Sequence, residues 1–277
     1  MISGNTALIA HIGYPTHAFK APLIYNPYFE QAGIDAVVVP MACRAEHFGA
    51  FLKAVFTLEN NRGALITMPH KVSVVDLLDE ASATVRIAGS CNAVKRAEDG
   101  RLVGDMFDGE GFVRGLRRKG CRLEGARALV VGSGGVGSAI AASLAGAGVG
   151  AIGLFDARAE SAQALGSRIA AHYPALLVTT ANRDPAGYDI VVNATPMGMD
   201  DGDPMPMDVS RIAPEAFVGE VVMKSEMTGF LKAAQARGCR FQVGSDMLFE
   251  QIPAYLEFFG FPTTTAENLR AVARLGG

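Results

Sequence analysis

The residues whose types and spacing first suggest chemistry are the glycines of Gly132-Ser133-Gly134-Gly135-Val136-Gly137, with Asp156 nineteen positions after the last of them. A G-x-G-x-x-G run holds a dinucleotide when it follows a strand, opens a helix and has a carboxylate about 20 residues further on. Leu129, Val130 and Val131 form a β-favouring run before it, small helix formers fill Ser138 to Ala147, and a second apolar run ends at Phe155, just ahead of Asp156. In such a unit Gly132 allows the tight turn, Gly134 lets the backbone approach a pyrophosphate, and Gly137 lets helix and strand pack closely. Loop amides, with Gly135 and Val136 among their owners, and the positive end of the helix then face the phosphates. Asp156 is placed to accept hydrogen bonds from the adenosine ribose hydroxyls. A buried glycine-rich turn without a ligand is the competing reading; strand, helix and acid together favour the nucleotide.

The elements around this loop explain a long charge-free stretch. No charged residue falls between Arg127 and Asp156, which is long enough for a bilayer span. The internal order of strand, turn, helix and strand argues for burial instead, because parallel strands covered on both faces read as continuous apolar runs. The 277 residues are 49% hydrophobic and 19% charged, a balance that suits a well-packed α/β protein and excludes disorder. A net charge of −3 with no basic block argues against a nucleic-acid partner. The opening MISGNTALIAHIGYP lacks the cationic segment and clean apolar core of a secretion signal. Cys43, Cys91, Cys121 and Cys239 lie far apart with no C-x-x-C pair, as expected of reduced, buried thiols in a cytoplasmic chain. The five His residues show no i, i+4 pairing, so no metal is expected.

Before the fingerprint, strands alternate with helices. Thr6–Ile12 reads as a strand, Pro22–Ala32 as a helix stopped by Gly33, Asp35–Pro40 as a strand and Arg44–Leu58 as an amphipathic helix. Ala64–Thr67 reads as a third strand, and Pro69-His70-Lys71 as the start of another helix carrying Val74, Leu77 and Leu78 on one side. Ala88–Val94 and Arg101–Gly104 flank Glu98-Asp99-Gly100, a hairpin pattern. After the fingerprint, Glu160–Ala171 reads as a helix, and Leu176–Thr179, Asp189–Asn193, Phe217–Val222 and Arg240–Val243 as strands. Helices are expected near Asp246–Phe259 and Thr265–Arg274. The pattern implies an α/β protein with two domains, an N-terminal α/β domain and a Rossmann-type dinucleotide-binding domain with a six-stranded doubly wound sheet.

Six segments carry a resemblance. LITMPHK (65–71), AGSCNAV (88–94), EDGRLVGDMFDGEGF (98–112), VVGSGGVG (130–137), NATPMGM (193–199) and GSDMLFEQ (244–251) resemble the shikimate and quinate dehydrogenase family, in that family's order and over nearly the whole chain. The resemblance implies a substrate-binding domain of residues 1–109 plus 245–277, a nucleotide-binding domain of 110–244, and a substrate cleft between two lobes. It implies a catalytic Lys and Asp, which fall on Lys71 of the T-x-P-x-K motif and on Asp108. It gives substrate contacts to Thr67, Asn92 and Gln251, and sets Asn193, Thr195 and Met197 beside the nicotinamide. The chemistry is coherent: oxidising a secondary alcohol sends a hydride to nicotinamide and a proton to a base, and a Lys held by a carboxylate can relay that proton. From spacing alone, Lys71 also reads as a solvated helix-end charge and Asp108 as a helix N-cap.

The departures from the family pattern fall in the substrate pocket. Family members that bind shikimate carry an S-x-S pair that holds its carboxylate; here Phe19 and Ala21 stand at those positions, with Lys20 between them. The N-T before the family aspartate is Met106-Phe107, and the usual tyrosine after the fifth nucleotide-domain strand is Met223. Losing several hydroxyls costs a carboxylate its hydrogen-bond partners. Lys20 is either a replacement cation or a solvated lysine. The implied reaction is hydride transfer between NAD(P) and a secondary alcohol of shikimate or a related alicyclic hydroxy acid or polyol. The alternatives are an ordinary shikimate dehydrogenase of aromatic amino-acid biosynthesis and a non-catalytic nucleotide-binding regulator. Asp156 and the uncharged Ala157 favour NAD, since a carboxylate repels a 2′-phosphate; Arg158, one position further on, keeps NADP open. The chain is expected to act as a monomer or homodimer. Asp200, Asp201 and Asp203 mark the loop before Asp208 as a solvated one.

Overall fold

The computed structural model describes residues 2–180, 182–200 and 202–275. Asp201 of the acidic loop, and the last two positions of the expected 245–277 segment, lie outside the described residues. The first half contains β1 (Ala7–Gly13), α1 (Pro22–Ala32), β2 (Ala36–Ala42), α2 (Phe48–Val55), β3 (Asn61–Ile66), β4 (Glu80–Ala81), α3 (Ala83–Ala88), β5 (Ala93–Arg96) and β6 (Leu102–Asp105). There follow α4 (Asp108–Arg118), β7 (Arg127–Val131), α5 (Gly135–Gly146), β8 (Ala151–Phe155), α6 (Ala159–His172), β9 (Leu177–Thr180) and β10 (Ile190–Asn193). The chain ends with β11 (Phe217–Glu220), α7 (Gly229–Ala236), β12 (Arg240–Gln242), α8 (Gly244–Phe259) and α9 (Ala266–Val272).

Two units result. The first comprises the chain up to Val85, Gly89–Phe107 and the chain from Ile252 on. Its sheet runs β2-β1-β3-β5-β6-β4: β1 is parallel to β2 and β3, while β3–β5 and the β5–β6 hairpin are antiparallel. Helix α1 shows how local chemistry and tertiary structure combine. Pro22 opens it and Gly33, at φ +67°, closes it in the left-handed region, as those residue types favour. Pro27 inside it has no N–H for the carbonyl of Leu23; that carbonyl instead accepts the Arg274 amide at 2.8 Å.

The second unit comprises Arg86–Ala88 and Asp108–Gln251. Its six strands are all parallel, in the order β12-β11-β10-β7-β8-β9, the doubly wound arrangement expected from the sequence. Ala128, Leu129, Val130, Ile190, Val191 and Val192 are wholly buried in it, which accounts for the uncharged run. Ile87 belongs to this unit's core, and its carbonyl accepts the Arg168 Nε–H at 2.5 Å; this draws residues 86–88 into the second unit. The unit ends at Gln251, within α8.

Two local expectations fail for identifiable reasons. Residues 69–78 form turns and a single 3-10 turn at Val75–Leu77, not a helix. The Lys71 carbonyl, which a helix would give to the amide four residues on, instead accepts the Cys91 amide at 2.7 Å. The hairpin's first arm begins at Ala93, not Ala88. Ser82 caps α3 by accepting the Val85 amide at 3.2 Å, and Gly89 ends it at φ +68°, so residues 83–88 become helical. Helix α7 has no counterpart among the expected elements; Thr228 caps it by accepting the Leu231 amide at 3.2 Å.

Candidate active site

The glycine turn between β7 and α5 combines two crowded glycines with two open ones. Gly132 lies at φ +107°, and a Cβ there would come within 2.6 Å of the Ala194 carbonyl oxygen. A Cβ on Gly137 would strike the Gly132 carbonyl. Both glycines are therefore demanded by the fold. Gly134 and Gly135 are different: beyond the adjoining backbone, none of the described residues lies within 4 Å of a Cβ built on either, and Gly134 has φ −72° and ψ −172°, which any residue adopts. No side chain caps α5, so its first amides lack the partner that a cap would supply. The Ser133 hydroxyl oxygen is buried without a partner among the described residues. The space before Gly134 and Gly135, which a side chain would fill, fits a pyrophosphate approaching bare backbone.

The carboxylate at the end of β8 is held in place. Asp156 Oδ2 accepts the Ser133 amide at 2.7 Å and Oδ1 the Arg158 amide at 2.9 Å, tying the glycine turn to the start of α6. Ala157 and Arg158 are exposed. Arg183, not singled out by the sequence, places its guanidinium 5.6 Å from the centre of the Phe155 ring, next to Asp156.

A third part is the loop after β10. Asn193 is fully buried; its Oδ1 accepts the Thr195 hydroxyl at 2.6 Å and the Thr195 amide at 3.1 Å. Its Nδ2 donates to the Met197 carbonyl and to Glu220 Oε1, both at 3.0 Å. Asn193, Thr195 and Met197 thus form one knot. Glu220 anchors it, taking further bonds from the Val221 and Val222 amides and the Thr228 hydroxyl. Burial pushes the Glu220 carboxyl pKa up, against the pull of these bonds. An acid closing the apolar run FVGE was the signal for this anchor. Met223, further along, is 48% exposed.

Asp108 and Gln251 also lie in the second unit. Asp108 is buried at the first residue of α4, where the helix dipole favours a carboxylate. Gly109 behind it permits α4 to approach α5: a Cβ there would sit 2.5 Å from the Ser143 hydroxyl oxygen. Gly111 does the same against α8, at 2.6 Å from the Gln251 Cβ. The Gln251 Oε1 is buried with no partner among the described residues.

In the first unit the candidate residues gather at the ends of β1 and β3. The Thr67 amide donates to the Ile12 carbonyl at 3.0 Å, and the His70 amide to the Thr67 carbonyl at 2.9 Å. Lys71 is half-buried, its backbone fastened to Cys91 as described. Asn92 is buried, and its Oδ1 accepts the Phe107 amide at 2.9 Å. Phe19 stacks on His11, centroids 4.1 Å apart; Ala21 precedes α1, and Lys20 is exposed. Met106 and Phe107 are buried, and Phe107 meets Tyr255 and Phe258 edge to face at 4.9 and 5.4 Å. The aromatic that replaces the family's Thr therefore fills this unit's core. His11 was missed by the sequence reading; its signal was one polar residue inside the apolar run ALIAHIG. Burial, reinforced by the Lys71 charge, pushes its pKa down to about 4.

A parallel doubly wound sheet with this glycine turn, joined in one chain to a second α/β unit bearing the lysine motif, defines the class: a dinucleotide-dependent oxidoreductase. Residues 11–94 match the family model described as the shikimate dehydrogenase substrate binding domain. A shikimate dehydrogenase (NADP(+)) of Rubrobacter xylanophilus is 33% identical over 90% of this chain and 89% of its own. A shikimate 5-dehydrogenase of Listeria monocytogenes, solved with shikimate and NAD, superposes with a TM-score of 0.91 at 25% identity, covering 98% of this chain and 97% of that one. A ligand-free 5-ketofructose reductase of Gluconobacter sp. strain CHM43 superposes with a TM-score of 0.89 at 27% identity, covering 98% and 99%. The chain belongs to the shikimate dehydrogenase family. Its cofactor is a nicotinamide dinucleotide, NAD or NADP. Among the described residues no helix is long and apolar enough to cross a membrane.

Proposed function

We propose that the chain catalyses reversible hydride transfer between NAD(P) and a secondary alcohol of shikimate or a related alicyclic hydroxy compound, with Lys71 and Asp108 as its catalytic pair. What supports the reading most is the setting of Lys71. It is not a solvated charge on a helix end: it is half-buried, its carbonyl is bonded to the Cys91 amide, and its charge acts on the buried His11. The bound dinucleotide supplies the hydride acceptor or donor. Lys71 handles the proton. In ketone reduction its Nζ–H hydrogen-bonds the carbonyl oxygen and gives up a proton as that oxygen gains charge; in oxidation the neutral amine takes the hydroxyl proton back. Asp108 stabilises the ammonium form. Thr67, Asn92 and Gln251 orient substrate hydroxyls, and Phe19, Ala21 and Met223 line the divergent part of the pocket.

The first unit takes the substrate role and the second the nucleotide role. Amides of residues 132–137 hold the pyrophosphate, Asp156 the adenosine ribose diol, and the Asn193–Thr195–Met197 knot borders the nicotinamide. NAD is the preferred cofactor, because the Asp156 carboxylate, fixed by two amides, repels a 2′-phosphate; Arg158 is the residue that would serve NADP. The uncharged sugar in the name of the Gluconobacter relative supports a pocket open to polyols. Replacing Lys71→Met tests the reading. The variant is expected to melt and bind dinucleotide as the parent does while kcat falls about 10²–10⁴-fold; undiminished turnover refutes it.

A further inference from the structure

We propose that His11 is a substrate-binding residue and that the substrate is an uncharged polyhydroxy ketone or alcohol rather than a carboxylate. The proposal rests on the dehydrogenase reading above and deepens it. His11 and Gly13 lie two apart on β1 and so share a face. That face is covered by Phe19: its ring stacks on the imidazole at 4.1 Å, and its Cζ lies 2.8 Å from where a Gly13 Cβ would be. The residue at the first of the family's serine positions thus lies flat on His11.

His11 is 8% exposed, and its Nδ1 is buried with no hydrogen-bond partner among the described residues. A buried polar atom of this kind calls for an explanation, and a ligand hydroxyl or carbonyl oxygen supplies one. Burial and the Lys71 charge keep the ring neutral. A neutral imidazole offers one donor and one acceptor, which matches a hydroxyl and adds no cation for a carboxylate. The serine hydroxyls that would receive a carboxylate are absent at Phe19 and Ala21, and each lost bond to a charged group weakens binding roughly ten- to hundredfold. Lys71, whose charge reaches His11, is the cation the reaction itself engages; Lys20 and Arg44 are exposed, Arg44 over the Tyr14 ring, and exposed pairs contribute little. In the reaction the substrate C=O gains a hydride from the reduced dinucleotide and a proton from Lys71, giving CH–OH and oxidised dinucleotide.

The test follows nicotinamide absorbance with the full chain, using 5-ketofructose with reduced dinucleotide and myo-inositol, shikimate and quinate with oxidised dinucleotide. The expected result is a kcat/KM for an uncharged probe about tenfold or more above both carboxylates. His11→Leu is expected to raise its KM about tenfold or more with kcat and dinucleotide affinity little changed. His11→Asn, which keeps a neutral donor and acceptor, recovers part of the loss and decides the matter if the Leu variant does not fold. A preference for shikimate or quinate, or an unchanged KM in the His11 variants, overturns the proposal. Turnover of neither class by a chain that still binds dinucleotide refutes the dehydrogenase reading itself, and this proposal with it.

Discussion

Replacing Gly134→Ala separates nucleotide binding from folding. The backbone there is extended, with φ −72° and ψ −172°, and among the described residues no atom beyond the chain neighbours lies within 4 Å of the added methyl carbon. The folded chain accepts the substitution without a clash. The unfolded chain loses freedom, so stability is expected to hold or to rise by about 0.4–1 kcal/mol. The bound state is another matter. A methyl group over the first turn of α5 keeps phosphate oxygens beyond the ~2.9 Å that N–H···O bonds require. Losing two bonds to a charged group, each contributing about 1.5–3 kcal/mol, removes about 3 kcal/mol or more, and therefore about 100-fold in Kd. Calorimetric titration with NAD and NADP, beside a thermal melt, measures both effects. A Kd within about twofold of the parent's means that phosphates do not lie over Gly134, and the argument from the open cradle fails. Gly137→Ala is the contrast, since its Cβ strikes the Gly132 carbonyl and should cost stability directly.

Three further perturbations follow from the same geometry. Asp156→Asn removes a charge that costs a 2′-phosphate about 1 kcal/mol even in water at contact distance; the ratio of NADP to NAD affinity is expected to rise about fivefold or more, and an unchanged ratio in competition binding assigns the choice elsewhere. Phe107→Ala empties the site packed by Tyr255 and Phe258 and is expected to lower stability by about 3–5 kcal/mol in denaturant titration. His11 titrates near 6.5 in the unfolded chain and about 4 in the folded one. Below 6.5 the unfolded state therefore binds a proton that the folded state refuses, so stability falls as pH drops through that window, by as much as about 3 kcal/mol. His11→Leu should flatten this part of the stability–pH curve.

Most of the nucleotide half was legible because its determinants are local. Strand, glycine turn, helix and acid occupy consecutive residues from Arg127 to Asp156, and each does its work within a few residues of its neighbours. The bounds of α1 were readable for the same reason: Pro22 and Gly33 act on their own backbone. The pocket was less legible. Phe19, Met106 and Phe107 read alike as apolar replacements for polar side chains, yet Phe19 stacks on His11 while Met106 and Phe107 sink into the core. Side-chain type does not say which neighbours will be present.

By itself, then, the order of residues determined the parallel sheet, the glycine turn between strand and helix, and the family to which the chain belongs. Tertiary structure alone decided the conformation around Lys71, because the bond that undoes a helix there comes from Cys91, twenty positions away. It alone made His11 neutral and left its Nδ1 without a hydrogen-bond partner among the described residues, since burial and a neighbouring ammonium are properties of a place in the fold. Backbone preference acts over a few bonds; hydrogen-bond capture and desolvation act through space.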